Sequence, residues 1–152
     1  MQKTMKNIIS EIKIKYNPIK LDGGNAKITN SEDAYKIMLN SWNKGTLQLQ
    51  EEFKVLLLNN SNEVLGIYEM TKGGMTSTLV DIKLLFAVAL KSCATAIITA
   101  HNHPSGKLKP SNSDISIYRK IKEASRFLEI QYLDNLIITA DGKFSFMDEN
   151  VE

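Results

Sequence analysis

Both histidines of the chain stand in one stretch, TAHNHPSGKLKPSNSD, residues 99–114. His101 and His103 are two residues apart, and in an extended strand side chains at i and i+2 leave the same face. Their imidazoles can therefore converge on one point. Pro104 removes a backbone donor and ends the strand, which sets the pair at an exposed edge rather than mid-sheet. Ser105-Gly106 continues as a turn. Pro110 and Ser111 then open a helix, and Asp114 lies in its first turn. The loop between is short enough to carry that carboxylate back to the histidines. Two imidazoles and one carboxylate are a ligand set for catalytic zinc, with the fourth position left to water. Zinc lowers the pKa of such a water toward ~7 and polarises a carbonyl. A hydrolase then needs a base for the proton and a donor for the oxyanion.

The same residues admit a purely structural role. Ser111 and Asp114 form S-x-x-D at a helix start, a capping-box pattern with Asp in place of Glu. The two roles are compatible, because a carboxylate has two oxygens: one can ligate while the other accepts a backbone N–H. The literal string HNH is unrelated to the HNH nuclease motif, whose residues are dispersed over a ββα hairpin.

The elements that must position these groups follow from hydrophobic periodicity. Residues 1–28 form a leading extension. In EIKIKYNP, Ile12, Ile14 and Tyr16 alternate with Lys13 and Lys15 as in a half-buried strand, stopped by Pro18. NSEDAYKIMLNSW predicts a helix capped by Asn30 or Ser31, with Ala34, Ile37, Met38 and Trp42 at helical spacing. EEFKVLLLNNSNEVLGIYEM predicts a hairpin with strands over 53–58 and 64–70. TKGGMTST is a loop in which Gly73 and Gly74 supply positive φ and Met75, Thr76 and Ser77 are candidates to line a groove. DIKLLFAVALKSCA predicts a helix that buries Ile82, Leu85, Phe86, Ala89, Leu90 and Cys93. TAIITAH is a short apolar strand covered on both faces. The next helix carries a stripe of Ile115, Tyr118, Ile121, Ala124 and Leu128; YLDNLIITA is a strand, DGK a turn, and FSFM a final strand. This order gives an α/β sandwich with a mixed sheet over residues 29–152.

Composition narrows the class. At 152 residues, with 43% hydrophobic and 24% charged, the chain suits one globular domain with a real core. No apolar run approaches membrane-spanning length. MQKTMKNIISEIKIK lacks the apolar run and small-residue cleavage site of a signal peptide. A lone cysteine, Cys93, forms no internal disulfide, and a reducing, cytoplasmic location is expected. A net charge of +2 is too mild to argue for nucleic acid by itself. Oligomeric state is left open.

HNHPSGKLKPSNSD resembles the H-x-H-P-x-G…P-S-x-x-D core of the JAMM (MPN+) metalloproteins, and the chain is similar in particular to the RadC family of bacteria. The likeness runs from about NSEDAYKIM to the C-terminus, through EEFKVLLLNNSNEVLGIYEMTKGGMTSTLVDIKLLFAVALKSCATAIITAHNHPSG, DISIYRKIKEA and LDNLIIT. It implies an MPN (JAMM) fold, a mixed curved β-sheet sandwiched by helices. It implies that His101, His103 and Asp114 bind zinc, and that Ser111 helps to hold the water and the oxyanion. It also implies an upstream glutamate as general base. Glu51 shares the strand phase of Phe53 and Val55, and Glu52 that of Lys54 and Leu56; the family's E-x-F spacing favours Glu51, with Glu52 as the alternative. The implied function is zinc-dependent hydrolysis of a peptide or isopeptide bond in a peptide or protein substrate. The alternative is a non-catalytic, metal-bound module that binds protein or DNA in repair or recombination. A metal-dependent nuclease is disfavoured, because phosphodiester cleavage commonly uses two metals. Two departures stand out. Asn135 replaces a histidine that RadC proteins often carry in LDHIII, and residues 1–28 are too few for the helix-hairpin-helix domain that would suggest DNA contact.

Overall fold

A computed structural model of the chain describes residues 10, 11, 13, 25–73 and 80–152. Ile12, Ile14 and Tyr16 of the expected leading strand lie outside the described residues, as do Gly74, Met75, Thr76 and Ser77 of the glycine loop. The elements run α1 (Ser31–Ser41), β1 (Glu52–Leu58), β2 (Val64–Lys72), α2 (Ile82–Lys91), β3 (Ala96–Asn102), α3 (Asn112–Phe127), β4 (Gln131–Thr139) and β5 (Gly142–Ser145). Their order is the one that periodicity predicts from residue 30 onward.

The five strands form one sheet in the order β2-β1-β3-β4-β5. β1 pairs antiparallel with β2 and with β3, β3 pairs parallel with β4, and β4 pairs antiparallel with β5. Parallel neighbours cannot be joined by a tight turn, so α3 serves as the crossover from β3 to β4. Every residue of β1 and β3 is buried, because helices cover the sheet on both faces. On one face Leu56, Leu58, Ile98, Leu136 and Ile138 pack with Ala34 and Met38 of α1 and with Trp42. On the other, Val55, Leu57 and Ile97 pack with Leu85, Phe86 and Ala89 of α2 and Ile121 of α3. Each buried aliphatic side chain of this size contributes about 1.5–3 kcal/mol by leaving water. Together the two clusters hold the central strands between fixed layers.

Polar groups set the helix starts. Asn30 is the α1 cap, its Oδ1 accepting the Asp33 N–H at 2.9 Å. Asp81 caps α2 by accepting the N–H groups of Lys83 and Leu84.

Helix ends differ from expectation. α2 stops at Lys91, and Cys93 turns the chain with a left-handed φ of 55°. Cys93 is consequently exposed rather than packed on a helix face, and Leu90, in the last turn, is exposed as well. α3 stops at Phe127, Glu129 takes φ 58°, and Ile130 rather than Leu128 enters the core. The last strand also ends earlier than FSFM suggests. The Asp134 carboxylate accepts the Ser145 hydroxyl at 2.6 Å and the Met147 N–H at 3.1 Å, which curls the chain off the sheet after Ser145.

Candidate metal centre

The C-terminal end of β3 delivers the histidines. His101 is flanked by Phe53 on β1 and Ile137 on β4. His103 lies one residue past the strand, anchored by its N–H to the Ile138 carbonyl at 3.1 Å. Gly106, at φ 82°, makes the turn that sends the chain back toward α3, and its N–H bonds the His103 carbonyl. A side chain other than glycine adopts that φ only at a cost. α3 then presents Asp114 from its first turn. The Ser111 N–H donates to Asp114 Oδ2 at 2.7 Å, and Ser111 Oγ accepts the Asp114 N–H at 3.1 Å. The capping box is therefore complete, and it orients the carboxylate.

Three donor groups meet. His101 Nε2 and His103 Nε2 are 3.0 Å apart, Asp114 Oδ1 is 3.2 Å from His101 Nε2, and Asp114 Oδ2 is 3.3 Å from His103 Nε2. A tetrahedral zinc with ligand bonds of about 2.0–2.1 Å sets its ligand atoms about 3.3 Å apart. The separation of the two imidazole nitrogens is close to that spacing, and each of them has a different oxygen of Asp114 beside it. The donor chemistry also fits: His103 Nδ1 lies 2.7 Å from the Lys107 carbonyl, a bond that requires the proton on Nδ1 and leaves the Nε2 lone pair for a metal. His101 Nδ1 is buried and has no hydrogen-bond partner among the described residues, so no bond at that nitrogen fixes the tautomer of its ring.

Glu51 completes the cluster. One donor atom from each of Glu51, His101, His103 and Asp114 falls within 4.8 Å of every other. Glu52 does not join it. It is buried on the opposite face, 3.8 Å from Lys54 Nζ and hydrogen-bonded to Thr46 Oγ1 at 3.3 Å. The geometry thus brings Glu51, not Glu52, to the histidines, along with Ser111, which lines the same cleft.

That cleft has a volume of about 410 Å³. Phe53 and Ile117 give it apolar wall, and Lys107 and Lys109 add cations. Asn135 lines it too, its Oδ1 accepting the Thr99 hydroxyl at 2.8 Å. Thr99 in turn contacts the Tyr132 hydroxyl. The residue that departs from the RadC pattern therefore belongs to a buried polar chain beside the cluster.

Electrostatics bind the groups together. Burial raises the Glu51 pKa above the usual carboxylate value, and His101 and His103 offset part of that rise. Burial alone would raise Asp114, but hydrogen bonds to both imidazoles hold it well below the usual range. Burial disfavours the charged form of His103; its bonds to Asp114 and to the Lys107 carbonyl outweigh this and leave its pKa above the usual 6.5.

One residue within the motif escaped the sequence reading. Asn102 stands between the histidines, is fully buried, and bonds the segment that carries Glu51. Strand alternation signals it, since the middle residue of H-x-H must face away from the cleft.

Comparison with known proteins agrees with this architecture. The family model described as a RadC-like JAB domain matches residues 28–151. The UPF0758 protein of Flavobacterium johnsoniae is 47% identical over 125 residues, covering 82% of this chain and 53% of that protein. The UPF0758 protein of Porphyromonas gingivalis is 42% identical over 103 residues, 67% of this chain and 45% of that protein. The UPF0758 protein of Clostridium beijerinckii is 33% identical over 141 residues, 93% of this chain and 60% of that protein. The chain thus spans about half the length of the curated relatives it matches. The match takes in all eight elements and every member of the cluster, and the chain belongs to the RadC-like JAB domain family.

Proposed function

We propose that the cleft hydrolyses a peptide or isopeptide bond in a peptide or protein substrate, with zinc held by His101, His103 and Asp114. The observation that carries this reading is the convergence of two imidazoles and two carboxylates within 4.8 Å beside an open cleft. Bound there, zinc supplies Lewis acidity, bringing the pKa of water toward ~7 and polarising a carbonyl. Glu51 takes a proton from the attacking water and returns it to the leaving amine nitrogen. Its place suits that role, because a general base must lie within reach of the proton it takes, and Glu51 is buried beside the two imidazoles. Ser111 Oγ already accepts the Asp114 N–H. Its own hydroxyl hydrogen is thereby left to donate to the carbonyl oxygen as charge develops there. Lys107 fixes the His103 tautomer through its carbonyl. Cys93 is an exposed free thiol, which fits a reducing, cytoplasmic setting, and no helix among the described residues is long and apolar enough to cross a membrane.

The test begins with elemental analysis of wild type and His103→Ala, both purified without added metal. About one zinc per chain is expected in wild type and none in the variant. Glu51→Gln should keep its metal and lose hydrolysis of peptide and isopeptide substrates. Folded wild type that takes up no zinc would remove the hydrolase reading. Turnover that survives Glu51→Gln would dismiss Glu51 as the base. A metal-loaded protein that hydrolyses nothing but binds protein or DNA would be the non-catalytic module instead.

A further inference from the structure

Asn102 separates the two histidines in sequence and faces the other way. It is fully buried on the α1 side of the sheet. Its Oδ1 accepts the Glu52 N–H at 2.7 Å, and its Nδ2 donates to the Leu47 carbonyl at 2.7 Å and the Gln50 carbonyl at 2.8 Å. Gln50 and Glu52 are the residues on either side of Glu51. The Glu51 carbonyl itself accepts the Gly73 N–H at 2.8 Å. The backbone that carries Glu51 is therefore gripped from both directions, and one grip comes from the strand end that carries the histidines.

We infer that Asn102 is a positioning residue that fixes Glu51 at its working distance from His101 and His103. The inference rests on the metal reading above and adds the device that assembles the site. The chemistry explains why asparagine stands there. The position needs one acceptor and two donors on one short planar group, and the carboxamide has both. Aspartate would lose both donors and set a buried charge against two carbonyl oxygens. Alanine or leucine would leave three backbone groups of the segment without their partner. Because Asn102 is covalently joined to both histidines, any shift of the β3 end moves the anchor of Glu51 with it.

A double-mutant cycle on cobalt affinity tests this. Cobalt alone is the probe, followed by visible absorption in wild type, Glu51→Gln, Asn102→Ala and the double variant. The Glu51 carboxylate adds attraction for a divalent ion nearby. If Asn102 acts through Glu51, Asn102→Ala weakens cobalt binding roughly tenfold when Glu51 is present. In the Glu51→Gln background the same change costs no more than about twofold. Equal losses in both backgrounds would make Asn102 a general structural residue and overturn the inference, as would an unchanged affinity in folded Asn102→Ala. Circular dichroism checks folding, and Asn102→Ser replaces the alanine variant if the latter does not fold. Failure of both to fold also assigns Asn102 to stability alone. Wild type that binds no cobalt would instead overturn the metal reading, an outcome distinct from all of these.

Discussion

His103 is held at both ring nitrogens, by the Lys107 carbonyl at Nδ1 and the Asp114 carboxylate at Nε2. In metal-free protein these partners keep its proton beyond the usual pKa of 6.5. A raised imidazole pKa gives stability that is fully present below the unfolded value and is lost as pH rises through the folded value. The stability difference between wild type and His103→Gln, from urea denaturation in EDTA, should therefore be largest below pH ~6.5 and fade above it. A difference that stays level from about pH 5 to 9 would show that the pair is not formed. Zinc reverses the trend, because it binds the neutral ring and strengthens as the proton leaves. At this scale the two histidines and Asp114 are legible because they sit within fourteen residues and obey simple strand and helix geometry. The choice between Glu51 and Glu52 is less legible. β1 is buried on both faces, so its sequence carries no amphipathic alternation to show which glutamate looks into the cleft.

Among the elements, α3 has two tasks at one end. Its first turn completes a helix cap and at the same time aims Asp114 at the histidines. The tasks can be separated at Ser111. Ser111→Ala removes the cap and should cost about 1 kcal/mol in urea denaturation. Ser111→Gly should cost only about a few tenths of a kcal/mol, and it has no side-chain donor. Hydrolysis lost in the glycine variant would support a direct role for Ser111, and hydrolysis retained there would reduce it to a cap. The end of α1 is tied to β1. Buried Lys54 donates to the Ser41 carbonyl at 2.8 Å and lies over the Trp42 ring. Helix existence and order were readable from apolar spacing, but burial near the helix ends was not. That burial depends on where the chain reverses. Here the reversals fall at Cys93 and Glu129, non-glycine residues in the left-handed region that no turn motif announces.

For the molecule as a whole, the sheet is one body whose cleft edge gathers groups from β1, β3 and α3. A ligand that binds only the folded state stabilises it by mass action. Zinc at a hundredfold excess over its Kd should add ~2.7 kcal/mol. Domains of this size respond with a rise in Tm of roughly 5–10 °C. EDTA should reverse the rise and Asp114→Asn should abolish it; an equal rise in that variant would place the zinc elsewhere. The α/β sandwich was legible at this scale because helical periods and short apolar strand runs, parted by turn residues, follow one another from Ser31 to Ser145. What the fold acts on is not written in those periods, and the relatives extend well beyond the matched span. Any count of bound zinc must also reckon with the one thiol, which is exposed. Cys93 precedes β3 at the end away from the histidines, and a seven-residue strand puts roughly 20 Å between them. Alkylation of Cys93 with iodoacetamide can thus silence adventitious thiolate ligation without reaching the cluster, and the metal that survives it belongs to the cleft.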